Sequence, residues 1–118
     1  MAKSLSKTEE KTWAMAVHMS ALFGIIFPPG LVLGPLLVWL FKRSDSKLVD
    51  TNGKEAINFQ GTILIGTFIL AILSAASTIF LLLTLILGIA GLGLAVYGGL
   101  QAKKNGSYTY PFAIRVIK

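Results

Sequence analysis

The stretch of sequence that decides the fold runs from Ala56 to Ala102 and reads AINFQGTILIGTFILAILSAASTIFLLLTLILGIAGLGLAVYGGLQA, with no Asp, Glu, Lys, Arg or His. A helix needs about 20 mostly apolar residues to cross the hydrocarbon core of a bilayer, so this stretch is long enough for two crossings. It lacks the alternation of a barrel strand, and a bilayer offers no water to backbone groups, so both crossings are expected to be helices. The sequence predicts an all-α integral membrane protein.

The composition of the whole chain agrees with this class. Of its 118 residues 54% are hydrophobic and 14% are charged, which is unusual for a soluble domain and predicts a single polytopic membrane domain over residues 1–118. The net charge of +6 comes from basic residues in three polar blocks, at 3–11, 42–54 and 103–118, that flank apolar segments. This placement is typical of membrane topology and anionic lipid headgroups, and it argues against nucleic-acid binding.

The charge-free stretch divides into two predicted transmembrane helices, at 54–73 and 79–104. The small and hydroxylated residues at 74–78 are the reversal between them. In the last helix Gly91, Ala95 and Gly99 lie four residues apart and form a small-residue face. Such a face predicts close helix packing, either within one chain or between copies.

A second charge-free but shorter stretch, at 12–41, is interrupted by Pro28, Pro29 and Gly30. Proline disfavours the helical conformation of the residue before it, so two short helices are expected, at 12–27 and 31–41. From Trp13 to Phe27 the first would rise about 22 Å, and from Leu31 to Phe41 the second about 16 Å, less than the roughly 30 Å core. A re-entrant hairpin, two tilted crossings and one kinked span all remain open. The positive-inside rule favours the hairpin, which places the three basic blocks on the cytoplasmic side.

The polar segments are predicted to be a cytoplasmic arm at 1–11, a basic loop at 42–53 and an interfacial tail at 105–118. Asn52 with Glu55 matches a capping box for the next helix, and Asp50 is the alternative cap. Aromatic side chains with a polar edge prefer the headgroup level, which predicts four interface anchors. These are Trp13, Trp39, Tyr108 and Tyr110.

A group of polar residues enters the predicted membrane segments. Glu55, Asn58 and Thr62 are three and then four residues apart, so they share one helix face, which is expected to point into the bundle. Gln60 and His18 are further intramembrane polar candidates. Two interpretations stay open for the group: hydrogen bonds that hold helices together, or a role in conduction or partner docking. For His18 the alternatives are a structural hydrogen bond and proton or ligand handling.

The chain carries no recognisable catalytic motif. It has no HExxH, no Walker loop, no Gly-x-Ser-x-Gly, no cysteine and no second histidine. We therefore predict that it is not an enzyme, with no catalytic residues, no cofactor and no metal site. Proton-coupled transport is also disfavoured, because it usually needs paired ionisable residues at membrane depth.

Several short motifs, in order along most of the chain, resemble a known family. They are Trp13 with His18, LGPLLVWL at 33–40 followed by Lys42 and Arg43, DTNG at 50–53, EAINFQ at 55–60, and Gly106 with YPF at 110–112. This pattern is similar to small bacterial membrane proteins of unknown function related to the twenty-kilodalton (Tic-twenty-like) subunit of the chloroplast inner-envelope protein-import translocon. The resemblance implies a four-helix membrane protein with both termini and the central loop in the cytoplasm. It supplies no catalytic residues.

These observations together predict a non-enzymatic, multi-pass protein of the bacterial cytoplasmic membrane. It would act by helix association, as an accessory or assembly subunit of a membrane complex, and the resemblance points to protein translocation. Its expected partners are anionic lipid and a protein partner or a second copy. The alternative is a homo-oligomeric channel lined by His18, Asn58 and Gln60.

Overall fold

The computed structural model describes residues 5–118, so the first four residues of the predicted N-terminal arm lie outside the described part. Residues 5–118 contain α-helices, one 3₁₀ helix and no strand. In chain order the elements are α1 (Lys7–Met19), the 3₁₀ helix (Ser20–Ile25), α2 (Gly30–Lys42), α3 (Lys47–Leu73) and α4 (Thr78–Asn105). The prediction of an all-α protein with four helices is confirmed.

The first half of the chain folds as a hairpin. The 3₁₀ helix ends at Ile25 and α2 begins at Gly30, so the chain reverses at residues 26–29. Gly34 lies so close to the carbonyl of Ser20 that a Cβ on it would overlap the oxygen, and a Cβ on Gly30 would overlap the backbone of Phe23. These contacts bring the two arms of the hairpin side by side.

Helix α1 starts earlier than expected, at Lys7 rather than Thr12, and stops earlier, at Met19 rather than Phe27. The reason for the early start is a capping box. The backbone N–H of Ser6 donates to Glu9 Oε1 at 2.9 Å, and the N–H of Glu9 donates to Ser6 Oγ at 3.2 Å. Two otherwise unpaired helix-end donors are thereby satisfied within the polar arm.

Helix α3 also starts earlier, at Lys47 rather than Lys54, which shortens the predicted basic loop. Its N-cap is Ser46, whose Oγ accepts from the N–H of Val49 at 3.2 Å. Asp50 and Asn52, predicted as caps, therefore lie inside the helix. The Asn-Gly pair lies inside the helix and forms no turn. Gly53 packs against the ring of Trp39, where a Cβ would overlap the indole.

Helices α3 and α4 form a second hairpin, joined by residues 74–77, with Ser77 as the N-cap of α4. The predicted small-residue face of α4 packs within the chain: Gly91 lies against Ile63 and Gly99 against Met19, and Ala95 is fully buried. This favours internal packing over association between copies.

The two ends of the molecule are built differently. One end carries the charged residues of α3 and α4, at 47–55 and 103–104, and we call it the charged end. There the helices enclose a core that includes Val17, Ile57 and Phe59. At the other end α3 and α4 pack mainly on each other, and most of their large apolar side chains are 40–69% exposed. We call residues 64–89 the apolar end. Both α3 and α4 are long and apolar enough to cross a membrane, by length and composition.

Candidate functional site

The charged end contains a buried polar network centred on His18, Asn52 and Tyr110. The three residues come from α1, α3 and the segment after α4. His18 Nδ1 lies 2.7 Å from the hydroxyl of Tyr110, and His18 Nε2 lies 2.8 Å from Oδ1 of Asn52. His18 is 0% exposed, Asn52 1% and Tyr110 2%, so water does not reach these hydrogen bonds.

Asn52 connects the network to the backbone. Its amide NH₂ donates to the carbonyls of Leu48 and Gly106, each at 2.9 Å, and its oxygen accepts from the N–H of Tyr108 at 3.2 Å. With the amide in this orientation, His18 Nε2 must carry a proton to donate to the amide oxygen. His18 Nδ1 is then the acceptor for the Tyr110 hydroxyl, so each polar atom of the trio has a partner.

The electrostatic state of the network is neutral. Burial lowers the pKa of His18, although the hydrogen bond to Asn52 and the charge of Glu55 partly oppose this effect. Burial also raises the pKa of Tyr110 far above its ordinary range, which keeps the phenol protonated. Because both ring nitrogens of His18 are already engaged, the geometry favours the structural alternative over proton or ligand handling.

The polar face predicted on α3 finds its partners within the chain. It binds the C-terminal segment, residues 107–118, which we call the tail. Asn58 Oδ1 accepts from the N–H groups of Val116 and Ile117 at 3.1 and 3.0 Å, and its NH₂ donates to the carbonyl of Ile117 at 2.8 Å. Thr62 Oγ1 accepts from Ile114 N–H at 2.8 Å. Side chains of one helix thus satisfy the backbone of a segment without secondary structure.

Glu55 anchors the same tail through charge. Its carboxylate accepts from the N–H of Tyr110 at 2.7 Å and pairs with Arg115 Nη2 at 2.7 Å. The Glu55 side chain is 13% exposed and the Arg115 side chain 41%, so the pair lies at the edge of the core. A charge-assisted pair of this length is among the stronger hydrogen bonds in proteins.

The aromatic residues of the tail complete the core. The ring of Tyr110 stacks on Phe59, with centroids 3.9 Å apart and planes within 3°. Tyr108 packs edge-on against Tyr110 and Tyr97. Tyr110 was predicted as an interface anchor, and this is wrong, because the hydroxyl that would face headgroups is bound to His18. Tyr108 is half-buried.

The two tryptophans lie among basic side chains. Lys42 Nζ lies 4.5 Å from the centroid of the Trp13 ring, and the guanidinium of Arg43 lies 4.7 Å from that of Trp39. Trp39 is only 8% exposed and its Nε1 donates to Asp50 Oδ1 at 2.8 Å. Trp39 is therefore a packed core residue, while the anchoring role of Trp13 stays a prediction.

Gln60 is separate from the tail-binding face. It is 0% exposed and its NH₂ donates to the carbonyl of Gly91 at 3.1 Å, whereas its Oε1 has no hydrogen-bond partner within residues 5–118. His18, Asn58 and Gln60 were predicted to line a channel. All are buried, and the contacts above are made within one chain, so they present no common surface to a neighbouring copy.

No metal site emerges from the described residues. Within 5–118 no group of three or more His, Cys, Asp or Glu side chains is placed to hold a metal ion. The predictions of no enzymatic activity and no cofactor are not tested by this geometry and stay predictions.

Asn52 and Arg115 are the important residues that sequence reasoning missed. Asn52 was interpreted as a helix cap because Asn-Gly usually marks a turn. Arg115 lies in a tail with no helical or strand pattern, and no local signal pairs it with Glu55, 60 positions away. The partial signal was the spacing of Glu55, Asn58 and Thr62, which indicates a face that needs partners.

Comparison with known proteins corrects the resemblance stated above. No curated protein and no solved structure matches the chain. One family model matches residues 9–117, and it describes the MamF/MmsF magnetosome magnetite crystal formation proteins. The predicted Tic-twenty-like family is therefore wrong, and the translocation role that it implied has no support. The match agrees with a small, helical, membrane-associated protein and covers nearly the whole sequence. The chain belongs to the magnetosome magnetite crystal formation family.

Proposed function

We propose that this protein spans the magnetosome membrane and acts in magnetite crystal formation as a non-catalytic accessory subunit. The observation that carries the proposal is the apolar end together with the family membership. Large side chains such as Ile72, Ile86 and Ile89 are 59–69% exposed there, on the two long helices. An exposed apolar surface of this extent is stable in lipid and is a liability in water.

The length of the apolar segments supports two crossings. The charge-free part of α3 from Ala56 to Leu73 rises about 27 Å, close to the roughly 30 Å of a hydrocarbon core. Helix α4 runs back beside it, since Gln60 donates to Gly91 and Gly66 faces Leu87. The charged residues lie beyond one end of this pair, at 47–55 and 103–104.

The first hairpin fits a re-entrant arrangement. Pro28 and Pro29 border the same groove as Leu64, Ile65 and Phe68. Those α3 residues lie about midway between Ala56 and Leu73, so the reversal would sit near the centre of the bilayer. The hairpin would then enter and leave on one side, which supports termini and central loop on that side. The positive-inside rule favours the cytoplasmic side.

A non-catalytic role is supported by what the polar residues do. The buried polar side chains form the network and the tail contacts, and Gln60 contacts α4. What the protein offers to its surroundings is an apolar flank and a basic end. Surfaces of this kind act by association with lipid and with other membrane proteins.

Membrane spanning can be tested with one substitution and a matched control. Ile86→Arg places a charge beside the centre of the proposed crossing, which costs about 3 kcal/mol on insertion scales. We expect a lower fraction of the protein in alkaline-extracted membranes, whereas Thr51→Arg at the exposed charged end leaves that fraction unchanged. Equal extraction of both variants would argue against the crossing.

The topology can be mapped because the chain has no cysteine of its own. Single cysteines at the exposed positions Thr8, Ser44 and Ser107 are expected to react with an impermeant maleimide from one side of the membrane. A cysteine at Ala76, in the turn between α3 and α4, is expected to react from the other side. Labelling of Thr8 and Ser44 from opposite sides would exclude the re-entrant hairpin.

The biological role requires deletion in the organism that encodes the protein. We expect magnetite crystals of altered size or number by electron microscopy, restored by the wild-type chain and not by Ile86→Arg. Unchanged crystals in the deletion strain would overturn the proposed role even if the protein spans the membrane.

A further inference from the structure

Three grooves on one side of the molecule join end to end. The first, about 420 Å³, lies between the reversal at Pro28 and Pro29 and the α3 residues Leu64, Ile65 and Phe68. The second, about 200 Å³, shares Ile65 with the first and continues between α2, α3 and the tail. The third, about 320 Å³, shares Asn58 and Ile117 with the second and opens at the charged end. We call the continuous surface the lateral groove.

The chemistry of the lateral groove changes along its length. From the reversal toward the charged end the wall of the groove is mainly apolar, with Val32, Ile57, Ile114 and Val116 in its middle section. At the charged end the lining side chains include three cations and one carboxylate, namely Lys54, Arg115, Lys118 and Glu55. Lys54 Nζ lies 3.2 Å from Asp50 Oδ2 and donates to the main-chain oxygen of Lys118 at 3.4 Å. Arg115 pairs with Glu55, so the cationic excess is the side chain of Lys118.

The length of the apolar section matches one leaflet of a bilayer. From Asn58 to Phe68 helix α3 rises about 15 Å, which is half of the roughly 30 Å hydrocarbon core. The polar atoms along this wall are already used: Asn58 and Thr62 bind the tail backbone. An extended peptide would find no partners for its own backbone there, whereas an acyl chain needs none.

We propose that the lateral groove binds one phospholipid with an anionic headgroup. One acyl chain lies along Val32, Ile65 and Ile114 toward the reversal at Pro28. The phosphate lies at Lys54 and Lys118, where the cationic excess complements its charge. This inference rests on the proposed membrane placement, because the groove ends would otherwise not coincide with the headgroup level and the bilayer centre.

Gly61 provides a way to fill the groove without disturbing the fold. It lines the middle section, and among the described residues a Cβ built on it has no neighbour within 4 Å. Gly93 has the same open space and lies at nearly the same depth, since Gln60 contacts Gly91, but it does not line the groove. Gly61→Leu and Gly93→Leu are therefore a matched pair.

The test is native mass spectrometry of the purified full chain in mild detergent, with equal amounts of dioleoyl phosphatidylglycerol and dioleoyl phosphatidylcholine. We expect the wild type and Gly93→Leu to retain one phosphatidylglycerol. Gly61→Leu should lose about tenfold in affinity, equivalent to about 1.4 kcal/mol. Equal retention by both glycine variants would overturn the site.

The headgroup is tested separately. The double variant Lys54→Gln with Lys118→Gln is expected to retain both lipids equally, whereas Lys104→Gln, at the exposed end of α4, keeps the preference for phosphatidylglycerol. An unchanged preference in the double variant would overturn the anionic assignment. Failure of the membrane proposal is distinguishable, because it would appear as loss of wild-type protein from alkaline-extracted membranes, with or without bound lipid.

Discussion

The charged end and the apolar end of this protein use the same two long helices in opposite ways. At the charged end α3 and α4 are covered by α1, α2 and the tail, and His18, Gln60 and Phe59 are 0% exposed. At the apolar end the same helices are mostly uncovered within residues 5–118, although the reversal at Pro28 and Pro29 lies beside Leu64 and Ile65. Phe68 and Ile86 are 66% and 63% exposed there. The chain therefore specifies its tertiary structure at one end and leaves the other to its surroundings.

The difference follows from the kind of interaction available at each end. Hydrogen bonds such as that between His18 and Asn52 are directional and costly to leave unpaired in a buried site, so they select one arrangement. Apolar contacts between Leu and Ile side chains are as favourable with lipid tails as with each other. A membrane protein with one defined fold is therefore expected to have buried polar contacts in the region where its helices pack together.

The largest loss of stability is expected from a substitution of Asn52, which has several hydrogen bonds at the charged end. Asn52→Leu leaves His18, the carbonyl of Gly106 and the N–H of Tyr108 without this partner, and each unsatisfied buried group costs about 1–3 kcal/mol. We expect the free energy of unfolding to fall by about 3–5 kcal/mol. Thermal unfolding in mild detergent, followed by tryptophan fluorescence, measures this.

The control for Asn52 is its exposed neighbour Thr51. Thr51→Leu is expected to change the free energy of unfolding by less than about 0.5 kcal/mol, as for most surface substitutions. If the two variants unfolded at the same temperature, the network would not hold the charged end together.

A smaller effect is expected from a pair of glycines that compares the two ends directly. A side chain on Gly53 would overlap the ring of Trp39, whereas a Cβ on Gly88 meets no described atom within 4 Å. Gly53→Leu is expected to cost about 1–3 kcal/mol by overpacking. Gly88→Leu should be neutral or slightly stabilising, since leucine favours a helix more than glycine does.

The same unfolding measurement in detergent checks this pair. Equal losses for the two variants would mean that the apolar end is packed as tightly as the charged end. That outcome would contradict the comparison between the ends.

The smallest effect is expected from pH. Burial lowers the pKa of folded His18 below its ordinary value of 6.5, so the unfolded chain takes up this proton more readily. The stabilisation is therefore fully present above pH 6.5 and is lost as the pH falls below it. The loss cannot exceed about 1.4 kcal/mol per pH unit, the contribution of one proton.

The measurement is the melting temperature between pH 7.5 and 5, compared with that of His18→Gln. His18 is the only histidine of the chain, so the variant should show a flat profile in this window. A parallel decline in both proteins would assign the pH dependence to other groups.

The family was the least accessible part of the sequence reasoning. The motifs around Trp39, Asn58 and Tyr110 fitted a small helical membrane protein but pointed to the wrong family. His18 and Asn52, which are central to the fold, lie in motifs that carried the resemblance to that family. Only the match over residues 9–117 decided the assignment.

The sequence by itself determined the helical class, the two long apolar helices and the small-residue face of α4. These depend on composition and on spacings of three or four residues, which act locally along one helix. The burial of Tyr110 needed the tertiary structure, whereas the helix starts at Lys7 and Lys47 depend on the local caps Ser6 and Ser46. The residues next to Asn52 in the sequence predict a helix cap or a turn. Asn52 is instead the centre of the network, because the fold brings His18 and Gly106 into contact with it. Hydrogen bonds across 34 and 54 positions leave no periodic trace in the chain, so only the fold decides them.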